Sequence, residues 1–278
     1  MTVTAVSRCL NLLEILAGER EAMELSELAT RLEIPASAAH RLVTTLADQG
    51  WVRQDAHSQK YALSLRMSVL AFRNLDGRNV PDVVQSALTR LAGETREYCR
   101  LAILEGEDLV WVARAQGAVT GLRYDPDMGQ EIVLHATANG KAWLATLSEE
   151  EALKIVYSRG FKANRELGPN SARNVDELRA LLRQTREQGF GSSVEEAEAG
   201  TAALAVPFRT GPEPDAPVAG TVSIAGPLLR IRESRWPELV TELHATAAEL
   251  AQIWPLRARQ RDVPDYASIA RNNVRVQK

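Results

Sequence analysis

The residue types that could do covalent chemistry are present but not assembled. His40, His57, His135 and His244 fall in four different predicted elements and none belongs to an HExxH pair, while Cys9 and Cys99 form no CxxC. Asn139-Gly140-Lys141-Ala142 has the glycine and lysine of a phosphate loop. His135 stands at its earlier glycine and Ala142 at its hydroxyl residue, which removes the close backbone approach and the magnesium ligand. Glu195, Glu196 and Glu198 could in principle bind a cation or exchange a proton, but clustered acids on a surface loop read more simply as solvated charge. The sequence therefore predicts no catalytic residue, no metal site and no cofactor.

Recognition chemistry is better supplied. Between Ala36 and Asp48 one helical face carries Ser37, His40, Arg41, Thr44 and Thr45, with no acid before Asp48. Short hydroxyls can bond phosphates or base edges in a DNA major groove, and an arginine can fork onto a guanine. Such a face needs a rigid mount, and the preceding residues provide one. Leu25, Leu28, Ala29 and Leu32 follow helical spacing, Glu33-Ile34-Pro35 forms a tight turn, and Ala36, Ala39, Leu42, Val43 and Leu46 turn inward on the second helix. An earlier helix with Val6, Cys9, Leu10, Leu13, Leu16 and Ala17 inward completes a three-helix core. After Gly50, the runs 51–54 and 60–63 alternate apolar and polar around a turn, giving a β-hairpin wing on which Arg53, Gln59 and Lys60 can reach phosphates.

At 278 residues the chain should hold two domains, and 45% hydrophobic with 25% charged residues is ordinary for a globular protein. The net charge of −3 does not mark a nucleic-acid binder. From Ala36 to Arg66, however, Arg41, Arg53, Lys60 and Arg66 outnumber Asp48 and Asp55. That local surplus is small, so affinity should come from pairing two copies. No apolar run reaches membrane-spanning length and no signal peptide is recognised; with two cysteines read as buried free thiols, a cytoplasmic protein with no membrane partner is expected.

Beyond a linking helix at Leu65, Val69, Leu70 and Phe72, interrupted near 76–79, a second region reads as helix, strands, helices, strands, helix. The hairpin 98–104 and 109–115, a short strand at 121–124, helices at 138–147, 149–158 and 175–188, strands at 202–208 and 218–225, and a long helix striped by Trp236, Leu239, Leu243 and Leu250 make an α+β domain with an antiparallel sheet. Small residues and hydroxyls gather at 135–142, 189–193, 200–203 and 222–227, where they fit either a ligand pocket or close strand packing. Backbone amides where 138 opens a helix could attract a carboxylate.

Leu25-Ser26-Glu27-Leu28-Ala29 through Pro35, Ser37 and His40-Arg41-Leu42 resemble the helix-turn-helix of IclR-type bacterial transcriptional regulators. His135 to Ala142, Gly189-Phe190, Glu195-Glu196, Gly200 and the run 220–227 resemble that family's second domain, in order over roughly residues 3–255. The resemblance implies a winged helix-turn-helix domain (1–64), a linker helix (65–79) and a GAF-like domain for effector binding and oligomerisation (80–255), leaving a tail (256–278) longer than the family's. It further implies double-stranded operator DNA, a small organic acid and homodimers or homotetramers as partners. The implied ligand positions are Gly121, Ile132, Ala138, Asn139, Ser193, Thr201, Ala203, Ser223 and Ala225. In keto-acid responders an acid is familiar at Ser193, a cysteine at Ala203 and a second serine at Ala225, so this chain's version points to a bulkier or more apolar acid, aromatic acids included. Ala38 and Ala39 also depart from the threonine and β-branched residue common there, which leaves the operator sequence open. Two other readings remain: a DNA-binding oligomer whose second domain only assembles it, and a small-acid enzyme with a DNA-binding domain.

Overall fold

Helix α1 (Thr4–Gly18) docks through Leu12 and Leu16, one turn apart, onto α2 (Leu25–Arg31) and α3 (Ala36–Asp48). These belong to a computed structural model describing residues 4–19, 21–76, 80–126, 129–163 and 165–254, which divide between two compact units, 1–78 and 79–278. The α1 stripe differs from the predicted one: Val6 and Leu10 are each 55% exposed and Ala17 is exposed, and the buried residues of α1 are Leu12 and Leu16. Cys9 is correspondingly half-buried, whereas Cys99 is fully buried and its thiol is pushed up to about 12 by desolvation.

The turn between α2 and α3 places Glu33 in the left-handed region (φ 53°), and Pro35 opens α3. Ala39, Val43 and Leu46 are buried, while Ala36 is exposed in the first turn, short of the core that the rest of that face reaches. Strands β1 (Val52–Gln54) and β2 (Tyr61–Leu63) pair antiparallel as the wing, and Met23 bridges to Tyr61. Helix α4 (Arg66–Asp76) follows. Its start is tied to the end of α3: Ser64 donates to the Gly50 carbonyl, Arg66 donates to the Gln49 carbonyl, and the Arg66 guanidinium lies 5.0 Å from the Trp51 ring centroid. Of the predicted interruption at 76–79, Asp76 closes α4, while 77–79, like the tail 256–278, lie outside the described residues.

The second unit is a five-stranded antiparallel sheet in the order β4-β3-β7-β6-β5, built from β3 (Tyr98–Glu105), β4 (Asp108–Gln116), β5 (Gly191–Val194), β6 (Thr201–Arg209) and β7 (Val218–Pro227). Alternation splits each strand between two cores. Cys99, Leu101, Leu204, Val206, Val222 and Ile224 pack against α5 (Val80–Thr95) and α9 (Trp236–Ile253). The opposite side of the sheet faces α6 (Ala138–Leu144), α7 (Glu149–Arg159) and α8 (Val175–Gln188), with Leu134, Trp143, Leu178 and Leu182 between. Ser148 and Glu151 form a capping box at α7, and Asn174 caps α8, whose end is a left-handed Gly189.

Three expectations need correction here. The segment 121–124 is no strand: Gln116 donates from its side-chain amide to the Tyr124 carbonyl and folds it back as a loop. Helix α6 ends at Leu144, before the expected Leu147, because Thr146 and Leu147 bond back to Trp143 and Leu144 in a tight turn. The glycine- and serine-rich stretch before 194 is edge strand β5. Its Gly191 lies where a Cβ would collide with the Ala138 carbonyl, and a Cβ at Gly140 would collide with the Leu134 backbone. Gly191 therefore lets α6 lie directly on β5, and Gly140 lets the turn that precedes α6 fold back against it.

Candidate functional site

In the first unit Ser37, His40, Arg41, Thr44 and Thr45 are all exposed on α3. Thr45 donates its hydroxyl to the Arg41 carbonyl one turn back, which leaves oxygen lone pairs outward. Arg53 and Gln59 are exposed on the wing and Lys60 is half-exposed, 4.0 Å from Glu24. The wing turn is fixed by Asp55, whose Oδ1 accepts from the Ser58 amide (2.8 Å), the Ser58 hydroxyl (2.8 Å) and the His57 amide (3.2 Å). These bonds, led by the Ser58 amide, hold the Asp55 carboxyl below its usual range. Gln59 is inside this turn, with φ at 59° and its amide donating to the Ala56 carbonyl. Among the described residues Arg41 and Arg53 make no ion pair. Two uncommitted guanidiniums and an acid-free hydroxyl face are what a phosphate-lined groove requires.

In the second unit the register collects much of the predicted ligand set on one side of the sheet. Ser193 pairs with Ala203, Ala203 with Ala225, and Ala225 with Tyr98; one row along, Ala205 pairs with Ser223 and Ser223 with Arg100. Ala138 packs against Ala205 and Ala203 from α6. Asn139 is buried and donates to the Thr221 hydroxyl (2.9 Å). Ile132 is buried among Leu109, Leu134 and Trp143 on the same side. Gly121 is not gathered with them, being exposed in the loop after β4, whereas Thr201, opposite Pro227, shares the face of Ala203 and Ala225 at the end of β6. The hydroxyls are already engaged, with Ser193 donating to the Ala136 carbonyl (2.9 Å) and Thr201 to the Glu198 carbonyl (2.8 Å).

Two features on this side were missed from the sequence. Arg100 lies in the middle of β3, only 8% exposed, with its guanidinium 3.8 Å from the Trp111 ring centroid and 5.6 Å from that of Tyr98. A charge inside the apolar run 98–104 was the available signal, since arginine is seldom buried without a reason. Of the loop acids, Glu198 is exposed as expected, but Glu196 is not a solvated charge. Glu196 is 6% exposed and pairs with Lys141, itself 1% exposed, because the α6 start lies under this loop and desolvates both. Burial pushes Lys141 down and Glu196 up, while each one's charge opposes the other's shift and holds the pair together. Glu195 accepts from the Gly200 amide and closes the same loop. Beside Lys141, the buried His135 ring packs 5.0 Å from Phe161, and desolvation followed by the Lys141 charge lowers it to about 4.

Nothing in this arrangement brings a nucleophile and a base together, and among the described residues no group of histidine, cysteine and acid side chains could hold a metal ion. The first unit matches the IclR helix-turn-helix domain over residues 5–56, and residues 72–252 match the C-terminal region of the bacterial transcriptional regulator IclR. This chain belongs to the IclR family of bacterial transcriptional regulators.

It is 32% identical to the Transcriptional repressor IclR of Escherichia coli over 252 residues, covering 90% of this chain and 88% of that one. It is 31% identical to the regulator KdgR of the same organism over 255 residues, covering 90% and 92%. Among solved structures, an IclR regulator from Alicyclobacillus acidocaldarius superposes with a TM-score of 0.73 at 25% identity, covering 90% and 98%. An IclR homologue from Microbacterium hydrocarbonoxydans, complexed with 4-hydroxybenzoate, gives 0.68 at 25% identity, covering 89% and 97%. The chain is therefore a DNA-binding transcriptional regulator rather than an enzyme, and its second unit corresponds to the family's ligand-responsive region.

Proposed function

We propose that this IclR-family regulator binds operator DNA through α3 and the wing and releases or rearranges it when the second unit takes up a small organic acid, with aromatic acids the class that fits best. Ser37, His40, Arg41, Thr44 and Thr45 enter the major groove; Arg53, Gln59 and Lys60 hold the flanking backbone. The observation that carries this is the exposed, acid-free face of α3 in a helix-turn-helix that matches the family. The effector occupies the face floored by Ala203, Ser223 and Ala225 and bordered by Ala138, Asn139 and Ser193, with Gly121, Ile132 and Thr201 at its periphery. Small side chains there leave room for a ring, and the 4-hydroxybenzoate held by the Microbacterium homologue supports an aromatic acid.

Residues 1–64 act as the reader, 65–79 as the linker, 80–255 as the effector and assembly domain, and 256–278 as an appended tail. The protein works in the cytoplasm as a homodimer or a dimer of dimers. Exposed Val6 and Leu10 on α1, and Leu65, Val69 and Leu70 at the start of the linker, support pairing through the first unit. Control is a population shift: an acid that prefers one arrangement of the effector domain moves the equilibrium between two spacings of the paired α3 helices by no more than its differential affinity for the two states. The test is footprinting on the DNA flanking the protein's own gene, with and without a panel of aliphatic and aromatic acids. A paired, roughly one-turn-spaced footprint that one acid alters is the expected result; a single-copy footprint indifferent to every acid contradicts it.

A further inference from the structure

An effector acid needs a partner for its carboxylate, and the groups first expected to provide one are committed elsewhere. Ser193 donates to a backbone carbonyl and Asn139 to Thr221. Helix α6 is seven residues long, and the Thr137 side chain already accepts from the Gly140 amide. Arg100, which the register places on the same side of the sheet beside Ser223, is uncommitted. Arg100 is 8% exposed, its Nε is buried without a partner, and among the described residues its guanidinium makes no hydrogen bond or ion pair.

Burying a cation without a counter-ion is costly, and it persists where a ligand completes the site. Trp111 covers one face of the guanidinium at 3.8 Å, which partly offsets the cost but leaves the planar fork of N–H donors unused. Burial works against the Arg100 charge, and Tyr124 and Tyr98 oppose that more than Glu198 does. Glu198 is itself exposed and accepts from the Tyr124 hydroxyl at 3.4 Å. Arg165, close enough for its charge to be felt by Arg100, also keeps a buried Nε without a partner while another of its nitrogens donates to the Ala197 carbonyl.

Resting on the effector reading above, we propose that Arg100 is the carboxylate anchor of this site, with Arg165 as a second donor, and that the site takes a planar monocarboxylate. The charge follows from the groups among the described residues: the Arg100 and Arg165 guanidiniums and the Glu198 carboxylate leave a single positive charge for the ligand to neutralise. The shape follows from the walls. Tyr98 and Tyr124 meet edge to face at 6.0 Å beside Arg100, and the facing strands offer only Ala203, Ser223 and Ala225 as floor. A flat ring fits between aromatic walls and a floor of small side chains, and its carboxylate reaches the fork.

The test is calorimetric titration of the full-length protein with benzoate, its neutral isostere benzamide, the dianion terephthalate and the aliphatic acid pyruvate. Wild-type protein should bind benzoate most tightly of the four. Arg100→Gln should weaken benzoate by about 10- to 100-fold, to the benzamide level, and leave benzamide unchanged. Arg100→Lys should fall between, and Arg165→Gln should lose less than Arg100→Gln. The melting temperature of ligand-free Arg100→Gln should equal or exceed that of wild type, since an uncompensated charge has gone; a merely structural arginine would lower it and leave the benzoate-to-benzamide ratio intact. Equal benzoate affinity in wild type and Arg100→Gln overturns the anchor while the effector reading stands. Pyruvate binding without benzoate binding, or terephthalate binding above benzoate, overturns the ligand class. Binding of none of the four by wild type overturns the anchor and counts against the effector reading as well.

Discussion

The recognition face of α3 and the sheet face around Arg100 both depend on an arginine, but the solvent treats the two groups differently. Arg41 is exposed, keeps its hydration until DNA arrives, and adds nothing to the difficulty of folding. Arg100 gives up its water when the sheet forms and has only aromatic faces in return. Exposed cations are suited to a partner that is large, polyanionic and always charged. A buried cation with a vacant fork is suited to one small anion that must be told from neutral look-alikes. The face proposed to read sequence is therefore displayed, and the face proposed to take up an acid is enclosed and held by buried polar contacts.

Perturbing those contacts should separate the regions most sharply. Lys141→Met strands Glu196 in the core, and should destabilise the second unit by roughly 3–5 kcal/mol in denaturant unfolding while the first unit's transition stays put. A loss under 1 kcal/mol would mean that water reaches the pair. Next in size, Arg41→Ala should weaken operator binding by roughly 1–3 kcal/mol, read by gel shift, with acid binding unchanged.

His135 gives a pH signature confined to the second unit. Its ring is lowered to about 4 from 6.5, so the unfolded chain takes up the proton first as pH falls. The stability it contributes is complete above pH 6.5 and declines toward pH 4. The expected loss at pH 5 is roughly 1–2 kcal/mol, and it should be absent in His135→Phe. A parallel pH dependence in both proteins would assign the effect to other groups. The smallest change expected is Arg66→Ala, which removes the contact with Trp51 and the bond to the Gln49 carbonyl; a loss of about 0.5–1 kcal/mol in the first unit alone is predicted by thermal melting.

The two regions also differ in how far they could be read in advance. Helical periodicity displays a recognition face directly: with Ala39, Val43 and Leu46 inward, Ser37, His40, Arg41, Thr44 and Thr45 must point out. The predicted hairpins and long helices of the second unit appear for the same reason. Its polar core did not follow from local pattern, because that core is made by contacts across long stretches of chain. Glu196 looks solvated until α6 brings Lys141 beneath it, 55 positions away. Arg100 looks like one charge in a strand until the register sets Ser223 and Ala225 beside it and Trp111 above it. The order α1 to α3 could be recovered from spacing, whereas Val6 and Leu10 were placed inward because periodicity cannot tell a core stripe from an uncovered one.

The claim that joins the two faces is that occupancy of one alters binding at the other. The direct measurement is the affinity of full-length wild-type protein for its flanking DNA at fixed salt, with and without saturating benzoate. A change of about 5-fold or more, in either direction, is predicted from ordinary coupling energies. Unchanged affinity, with benzoate bound by calorimetry under the same conditions, would contradict the account.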